Sequence, residues 1–212
     1  MRSILNTSLI LAGFLLSWPA AFGQSKFDFS ASVAPFYGHY KVTATVVLPV
    51  SDGSGELASQ EWTSESSPKG YWIGLNGRYS FSQKWSASTG LWFSQSRSKT
   101  SASSSRSHNF SIPVMVNLQT SEKTLSPYFS AGALWNFGTT SRLTIPDFGT
   151  VVLKSDDNIS RISPLVGAGV IYHFARRLSL IAQPTFSYAI PPSDIKSRSY
   201  QLSFNAQLMF KL

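Results

Sequence analysis

The chain has 212 residues, no cysteine and a formal net charge of +8, but only 13% of its residues are charged. A soluble domain carries about 25% charged residues, so this chain has roughly half of the charge that water favours. The absence of cysteine excludes disulfides, cysteine-ligated metals and a lipid-modified N-terminal cysteine.

Residues 1–23 are predicted to be a signal peptide. Arg2 supplies the positive end, and the apolar run 9–16 is too short to span a bilayer. Small residues follow at the two positions that signal peptidase reads, which places the mature start at Gln24; an uncleaved anchor is the alternative. The remainder, 24–212, has no run of about 18 apolar residues and is predicted to form one domain.

The mature chain contains eight segments in which apolar and polar residues alternate, as they do along a strand with one face in an apolar environment. In the last segment, one parity includes Leu202, Phe204 and Leu208. The other parity carries Asn205 and Gln207. The eight predicted strands are 26–40, 70–81, 85–96, 108–119, 128–139, 161–174, 178–190 and 198–212.

The connections between these strands alternate between long and short. The predicted connections are 41–69, 82–84, 97–107, 120–127, 140–160, 175–177 and 191–197, with extension of the first strand over 42–47 beyond the membrane as an alternative. Small turns at one end and large loops at the other are typical of a membrane barrel, and strands of this length match a tilted span of the bilayer. The predicted fold is therefore all-β: an eight-stranded antiparallel up-and-down transmembrane β-barrel.

The distribution of polar residues indicates which face points outward. A soluble lipocalin-like barrel, the alternative, would carry many Lys and Glu outside, whereas the polar parity here carries Ser, Gly, Asn, Gln and Thr. Aromatic residues of the apolar parity cluster near both strand ends, as in the interface belts of membrane barrels. For one strand the prediction is Tyr71, Ile73 and Leu75 toward lipid and Trp72, Gly74 and Asn76 toward the lumen.

Eight strands enclose a lumen that side chains can fill, so we expect a packed polar interior rather than a general pore. Gln183, Asn205 and Gln207 are expected to hydrogen-bond across it, because unpaired polar groups there are costly. Proline removes a ladder donor, so bulges or local breaks are expected within strands. The prolines concerned are Pro35, Pro113, Pro164 and Pro184.

Two hairpin sequences carry a family resemblance. Phe110-Ser-Ile-Pro-Val-Met-Val-Asn-Leu118, followed after a short turn by Ser126-Pro-Tyr-Phe-Ser-Ala-Gly132, resembles the outer-membrane β-barrel domain family that includes PorT-like proteins. Gly167-Ala-Gly169 with Tyr172 and a basic turn is similar to a later hairpin of that family. The resemblance, related in architecture to OmpX-like and OmpA-like barrels, implies the outer membrane of a Gram-negative bacterium and, among functions, an accessory role in protein secretion.

No catalytic, cofactor-binding or metal site is predicted. The three histidines, His39, His108 and His173, show no compact Ser–His–acid spacing in the sequence. The oxygen-rich stretches 52–56 and 156–158 lack the rest of a calcium-loop pattern and are interpreted as solvated loops. No feature indicates nucleic-acid binding.

The leading functional hypothesis is a monomeric, non-catalytic outer-membrane protein with a structural role or a partner-binding role through its extracellular loops. Its predicted partners are outer-membrane lipid, lipopolysaccharide and a protein met at those loops. The alternatives are a PorT-like accessory of secretion and a lipid-A-modifying enzyme.

Two clusters of charged residues are candidate sites. Asp28 and Lys211 are predicted to point inward at the short-turn rim and to pair across the barrel seam, directly or through water; separate solvation of both is the alternative. A rim of cations at the long-loop end is predicted to bind the phosphates of lipopolysaccharide, with generic loop solubility as the alternative. The rim residues are Arg97, Lys99, Arg106, Arg142, Arg161 and Arg198.

Overall fold

The computed structural model describes residues 26–49, 57–99, 104–145, 149–154, 161–191 and 196–212. The predicted signal peptide lies outside the described residues. The ten strands are β1 (Phe27–Pro49), β2 (Leu57–Ser66), β3 (Lys69–Ser80), β4 (Trp85–Lys99), β5 (Ser104–Gln119), β6 (Leu125–Ile145), β7 (Gly149–Lys154), β8 (Arg161–His173), β9 (Leu178–Ala189) and β10 (Lys196–Lys211). None of these residues forms a helix long and apolar enough to cross a membrane.

Eight of the strands close into a barrel. Neighbouring strands pair in the order β10-β9-β8-β6-β5-β4-β3-β1, and β1 pairs with β10 to complete the ring. Every pairing is antiparallel, as expected for consecutive strands joined by hairpins. The predicted eight-stranded up-and-down barrel is confirmed.

The remaining two strands correct the predicted loops. β1 continues to Pro49 and pairs with β2, so much of the stretch 41–69 is an extended hairpin rather than a loop. β6 likewise continues to Ile145 and pairs with β7. Beyond the membrane no apolar face is required, so backbone pairing continues where the alternation of apolar residues fades.

The two faces of the barrel wall have the predicted orientation. Ile73 and Leu75 on β3 are 47% and 70% exposed, whereas Trp72 is 7% exposed and Asn76 is buried. Aromatic and aliphatic side chains cover the outside of every barrel strand. A continuous apolar exterior of this kind is stable only against another apolar surface, here the lipid.

The strand prolines interrupt pairing without shifting the register. The β1–β10 ladder has a gap around Pro35, the β4–β5 ladder around Pro113 and the β8–β9 ladder around Pro184. The β8–β9 ladder begins just after Pro164. The expected local breaks are present, because proline has no N–H to donate, and the register shift in the β5–β6 ladder lies elsewhere, between His108 and Asn109.

The interior is less polar than expected. One buried apolar cluster consists of Ala34, Trp72, Trp92, Met115, Leu134 and Leu165, with Phe36 packed against it. A second consists of Tyr128, Ile171, Ile181 and Met209. On β6, Ser130 lies between Tyr128 of one cluster and Leu134 of the other, so a polar layer separates two apolar ones. Large apolar side chains fill volume more completely than short polar ones, which accounts for their use inside a narrow barrel.

Candidate functional sites: the lumen and the basic row

A chain of hydrogen bonds crosses the lumen from β9 to β4. Gln183 Nε2 donates to Ser130 Oγ at 3.3 Å, and Ser130 Oγ donates to Asn117 Oδ1 at 2.9 Å. Asn117 Nδ2 then donates to Ser88 Oγ at 2.9 Å. The Gln183–Ser130 bond passes over β8, so the chain links four strands across a polar layer.

A second chain runs from β4 to β10. Trp92 Nε1 donates to Asn76 Oδ1 at 2.6 Å, and Asn76 Nδ2 donates to Ser32 Oγ at 3.3 Å and to Ser30 Oγ at 3.5 Å. Across the seam, Gln207 Nε2 donates to the same Ser30 Oγ. Thr185 of β9 and Ser203 of β10 share a further, separate hydrogen bond.

Of the three predicted lumen residues, Gln183 and Gln207 are thus hydrogen-bonded as expected. Asn205 is also buried, but its Oδ1 has no hydrogen-bond partner among the described residues. The prediction that Asn205 hydrogen-bonds across the lumen is therefore wrong for its side-chain oxygen.

The short-turn end of the lumen contains a group of charges. Asp28 lies opposite Lys211 on β10 and opposite Arg78 on β3. Asp28 and Arg78 are both 6% exposed, and Arg78 also donates to Met209 Sδ at 3.3 Å and lies 5.7 Å from the ring centre of Tyr128. The register brings Asp28 and Lys211 face to face, but no direct ion pair within 4.0 Å joins them.

A serine and a histidine meet nearby, which the sequence analysis did not predict. His173 Nδ1 lies 2.6 Å from Ser179 Oγ, and His173 Nε2 lies 3.0 Å from Gln119 Nε2. Ser179 is only 1% exposed, so its hydroxyl is buried in the barrel interior. A catalytic serine must be reachable by substrate and its base must be oriented by a third group, so this contact fits a structural hydrogen bond better.

Four cations form a row across neighbouring strands on the outer face at the long-loop end. In register, Lys69 lies opposite Arg97, Arg97 opposite Arg106, and Arg106 opposite Arg142. We call this set the basic row. With about 4.8 Å between neighbouring strands, the row extends over roughly 14 Å. Lys69, which the sequence analysis did not include, joins three of the six predicted rim residues.

The other predicted rim residues lie elsewhere. Lys99 is two residues beyond Arg97 on β4 and lies opposite Ser104. Arg198 lies opposite Lys41 at the β1–β10 seam, and Lys41 in turn lies opposite Glu65. Arg161 lies opposite Asn136 in the β6–β8 ladder, and its side chain is outside the described part of the chain.

The oxygen-rich stretches considered as calcium loops cannot be compared with the structure. The stretches 52–56 and 156–158 lie outside the described residues. Within the described ranges no three His, Asp or Glu side chains are grouped as a metal site.

A closed antiparallel barrel with a lipid-facing exterior defines an integral membrane protein of the outer-membrane β-barrel class. The chain belongs to the outer membrane protein beta-barrel domain family, whose model matches residues 22–194. The predicted outer-membrane location is thereby confirmed. Among curated proteins, none matches the chain in sequence.

Solved structures share this fold at low identity. Neisserial surface protein A (NspA) is 16% identical, with a TM-score of 0.51 over 90% of this chain and 100% of that chain. Ail, the attachment invasion locus protein of Yersinia pestis, is 17% identical, with a TM-score of 0.40 over 85% of this chain and 98% of that one. The outer membrane protease OmpT of Escherichia coli is 7% identical, with a TM-score of 0.48 over 92% of this chain and 99% of that chain. The likeness to NspA is one of fold alone.

Proposed function

We propose that this protein is a non-catalytic outer-membrane barrel that conducts no solutes and acts through the hairpins at its long-loop end. The observation that carries the proposal is the set of buried side chains inside the barrel. Two apolar clusters lie in the lumen, and hydrogen-bonded polar side chains lie among and between them. A solute would have to displace buried side chains at each level, at the cost of their packing and hydrogen bonds.

The extended hairpins favour a role in contact with a partner. β1 is 23 residues long, about twice what a tilted membrane span needs, so its outer half and β2 project beyond the bilayer. Glu61 and Thr63 on β2 are exposed. A paired hairpin holds its side chains in fixed positions, which lowers the entropic cost of binding compared with a flexible loop.

Planar-bilayer recording tests the closed lumen. The wild-type protein is expected to give no stable single-step conductance, because the lumen is filled. A variant with Trp72, Trp92, Tyr128 and Met209 replaced by Ala removes bulk from both apolar clusters and is expected to give small steps, which shows that the assay detects an opening. Reproducible large steps from the wild-type protein would overturn the proposal.

Site-specific photocrosslinking in intact cells tests the partner role. A photoreactive residue at position 61 or 63 is expected to give defined protein adducts, whereas one at exposed Arg176 in the opposite rim serves as the matched control. Adducts of equal abundance at both rims, or at neither, would contradict the hairpins as the contact surface. Adducts with a secretion component would assign the protein to the accessory role that the PorT-like resemblance implies.

A further inference from the structure

The outer face of strands β3–β6 changes in character in three successive rows. The innermost is apolar: Ile73 lies opposite Phe93, and Phe93 lies opposite Phe110 with ring centres 5.4 Å apart. The next row outward is amphipathic, with Tyr71, Gln95 and His108. The third is the basic row. Each step is two residues, or about 6.7 Å along the strand, so the face passes from lipid to headgroup chemistry within about 13 Å.

The basic row is unfavourable by itself. Like charges directly opposite each other on neighbouring strands repel, and here three such pairs follow one another. Among the described residues, no carboxylate lies within ion-pair distance of any of the four cations. An anion bound between them would remove this repulsion.

One guanidinium of the row is held in place. With the Gln95 amide oriented to satisfy its neighbours, its nitrogen donates to Tyr71 Oη at 3.1 Å. Its oxygen then accepts from Arg106 Nε at 3.1 Å and Arg106 Nη2 at 3.2 Å. These two bonds hold one edge of the Arg106 guanidinium, and Nη1 is not used in binding the amide. An arginine oriented in this way binds a phosphate at lower entropic cost than a free side chain.

The basic row differs from the other cations of the described rim. At the seam, Lys41 and Arg198 also lie opposite each other, but Lys41 lies opposite Glu65 on its other side, and Glu65 Oε1 is 3.5 Å from His39 Nε2. On β9 and β10 the outer positions one step further in include the exposed aromatics Tyr188 and Tyr200. Among the described residues, the basic row has four cations in consecutive register positions and no carboxylate opposite any of them.

We propose that the basic row is a binding site for one molecule of lipopolysaccharide, with its phosphates between the cations and its acyl chains along the apolar row below. The row rises from the barrel wall into the extended hairpin, since Arg142 lies beyond Asn136, where the described β6–β8 pairing ends. A ligand with several phosphates at different heights and acyl chains beneath them matches this arrangement. A free phosphate would match only the charges.

Binding of labelled lipopolysaccharide by the full chain in neutral phosphatidylcholine nanodiscs tests the site. Replacing Arg97, Arg106 and Arg142 by Ser is expected to weaken binding by about tenfold or more, because three charge-assisted contacts are lost. The matched control replaces Lys84, Arg176 and Arg177 at the short-turn end by Ser, which removes the same charge and is expected to leave binding unchanged. Circular dichroism confirms that each variant is folded.

Three further ligands distinguish the sources of the anion. Dephosphorylated lipopolysaccharide, phosphatidylglycerol and inorganic phosphate are each expected to bind at least about tenfold more weakly than intact lipopolysaccharide. Gln95→Leu, which releases Arg106, is expected to give a smaller loss than the triple variant. Equal binding by the wild type and the triple variant would overturn the site. Equal binding of phosphatidylglycerol or phosphate would overturn its assignment to lipopolysaccharide.

Discussion

Gln183 of β9 and Ser130 of β6 are hydrogen-bonded although β8 lies between their strands. Gly167 of β8 makes the contact possible, because a Cβ atom there would lie 2.5 Å from Gln183 Nε2 and 2.8 Å from Thr185 Cγ2. The bond therefore depends on the absence of a side chain at position 167 of the intervening strand β8. Gly167 is one of the residues on which the family resemblance rests. The close approach of Gln183 is a physical reason for a glycine at this position.

Gly167→Ala is expected to lower the free energy of unfolding by about 1–3 kcal/mol, because Gln183 must move and leave buried polar groups unpaired. Gly77→Ala on the outer face is the control, since its Cβ would meet no atom within 4 Å. The control is expected to be neutral or to stabilise by up to about 1 kcal/mol. Urea unfolding in lipid bilayers measures both, and an equal effect of the two would contradict the interpretation.

The Trp92–Asn76 bond supports a second prediction. Asn76→Ala leaves the buried indole N–H of Trp92 without its 2.6 Å acceptor, at an expected cost of about 1–3 kcal/mol. Asn76→Ala combined with Trp92→Phe removes donor and acceptor together and is expected to cost less than the sum of the single changes. Strictly additive values in the same unfolding assay would argue against the bond.

The charges at the short-turn end support a third prediction. Asp28→Asn is expected to destabilise the barrel by about 1–3 kcal/mol, because it removes the negative charge opposite buried Arg78, although no direct ion pair within 4.0 Å joins the two. Lys211→Gln is expected to cost only about 0–1 kcal/mol, because Lys211 is half-exposed and solvated. A double-mutant cycle measures any coupling of Asp28 with Lys211. The reverse order of the two single effects would show that Asp28 interacts mainly across the seam.

The Ser–His contact supports a fourth prediction. Ser179→Ala and His173→Gln are expected to leave the outer-membrane lipid profile unchanged in mass spectrometry, because Ser179 is buried and its bond to His173 is structural. Ser179→Ala is also expected to lower stability by about 1 kcal/mol through loss of that hydrogen bond. A modified lipid species that disappears in both variants would instead identify an enzyme.

The barrel could be predicted from the sequence because the face on which a strand residue lies follows from the alternation of its immediate neighbours. Whether Leu75 faces lipid and Asn76 the lumen follows from alternation along one strand, and both are placed as expected. Strand number and the short turns follow from the same pattern. The end of β6 was predicted too short, and the extension of β1 over 42–47 was only an alternative, because outside the bilayer strands pair without needing an apolar face.

The contacts inside the lumen and along the rim depend on the register between strands. The sequence of a single strand does not contain that register. Lys69 and Arg97 are 28 positions apart and come together only through the β3–β4 ladder. His173 and Ser179 are close in sequence, but the tight turn between them decides whether they touch. Met209 falls on the polar parity of the last strand, yet it belongs to an apolar cluster assembled from four strands.

The pairing of β1 with β10 also has a consequence for folding. The seam runs from Asp28 opposite Lys211 to Thr43 opposite Lys196, so the free edge of the first barrel strand is paired by the last barrel strand. Until that pairing forms, the sheet has two unpaired edges, and each edge is a template for aggregation. The search that joins strands so far apart in sequence is long-range and slow. Closure of the seam therefore removes both edges in a single step.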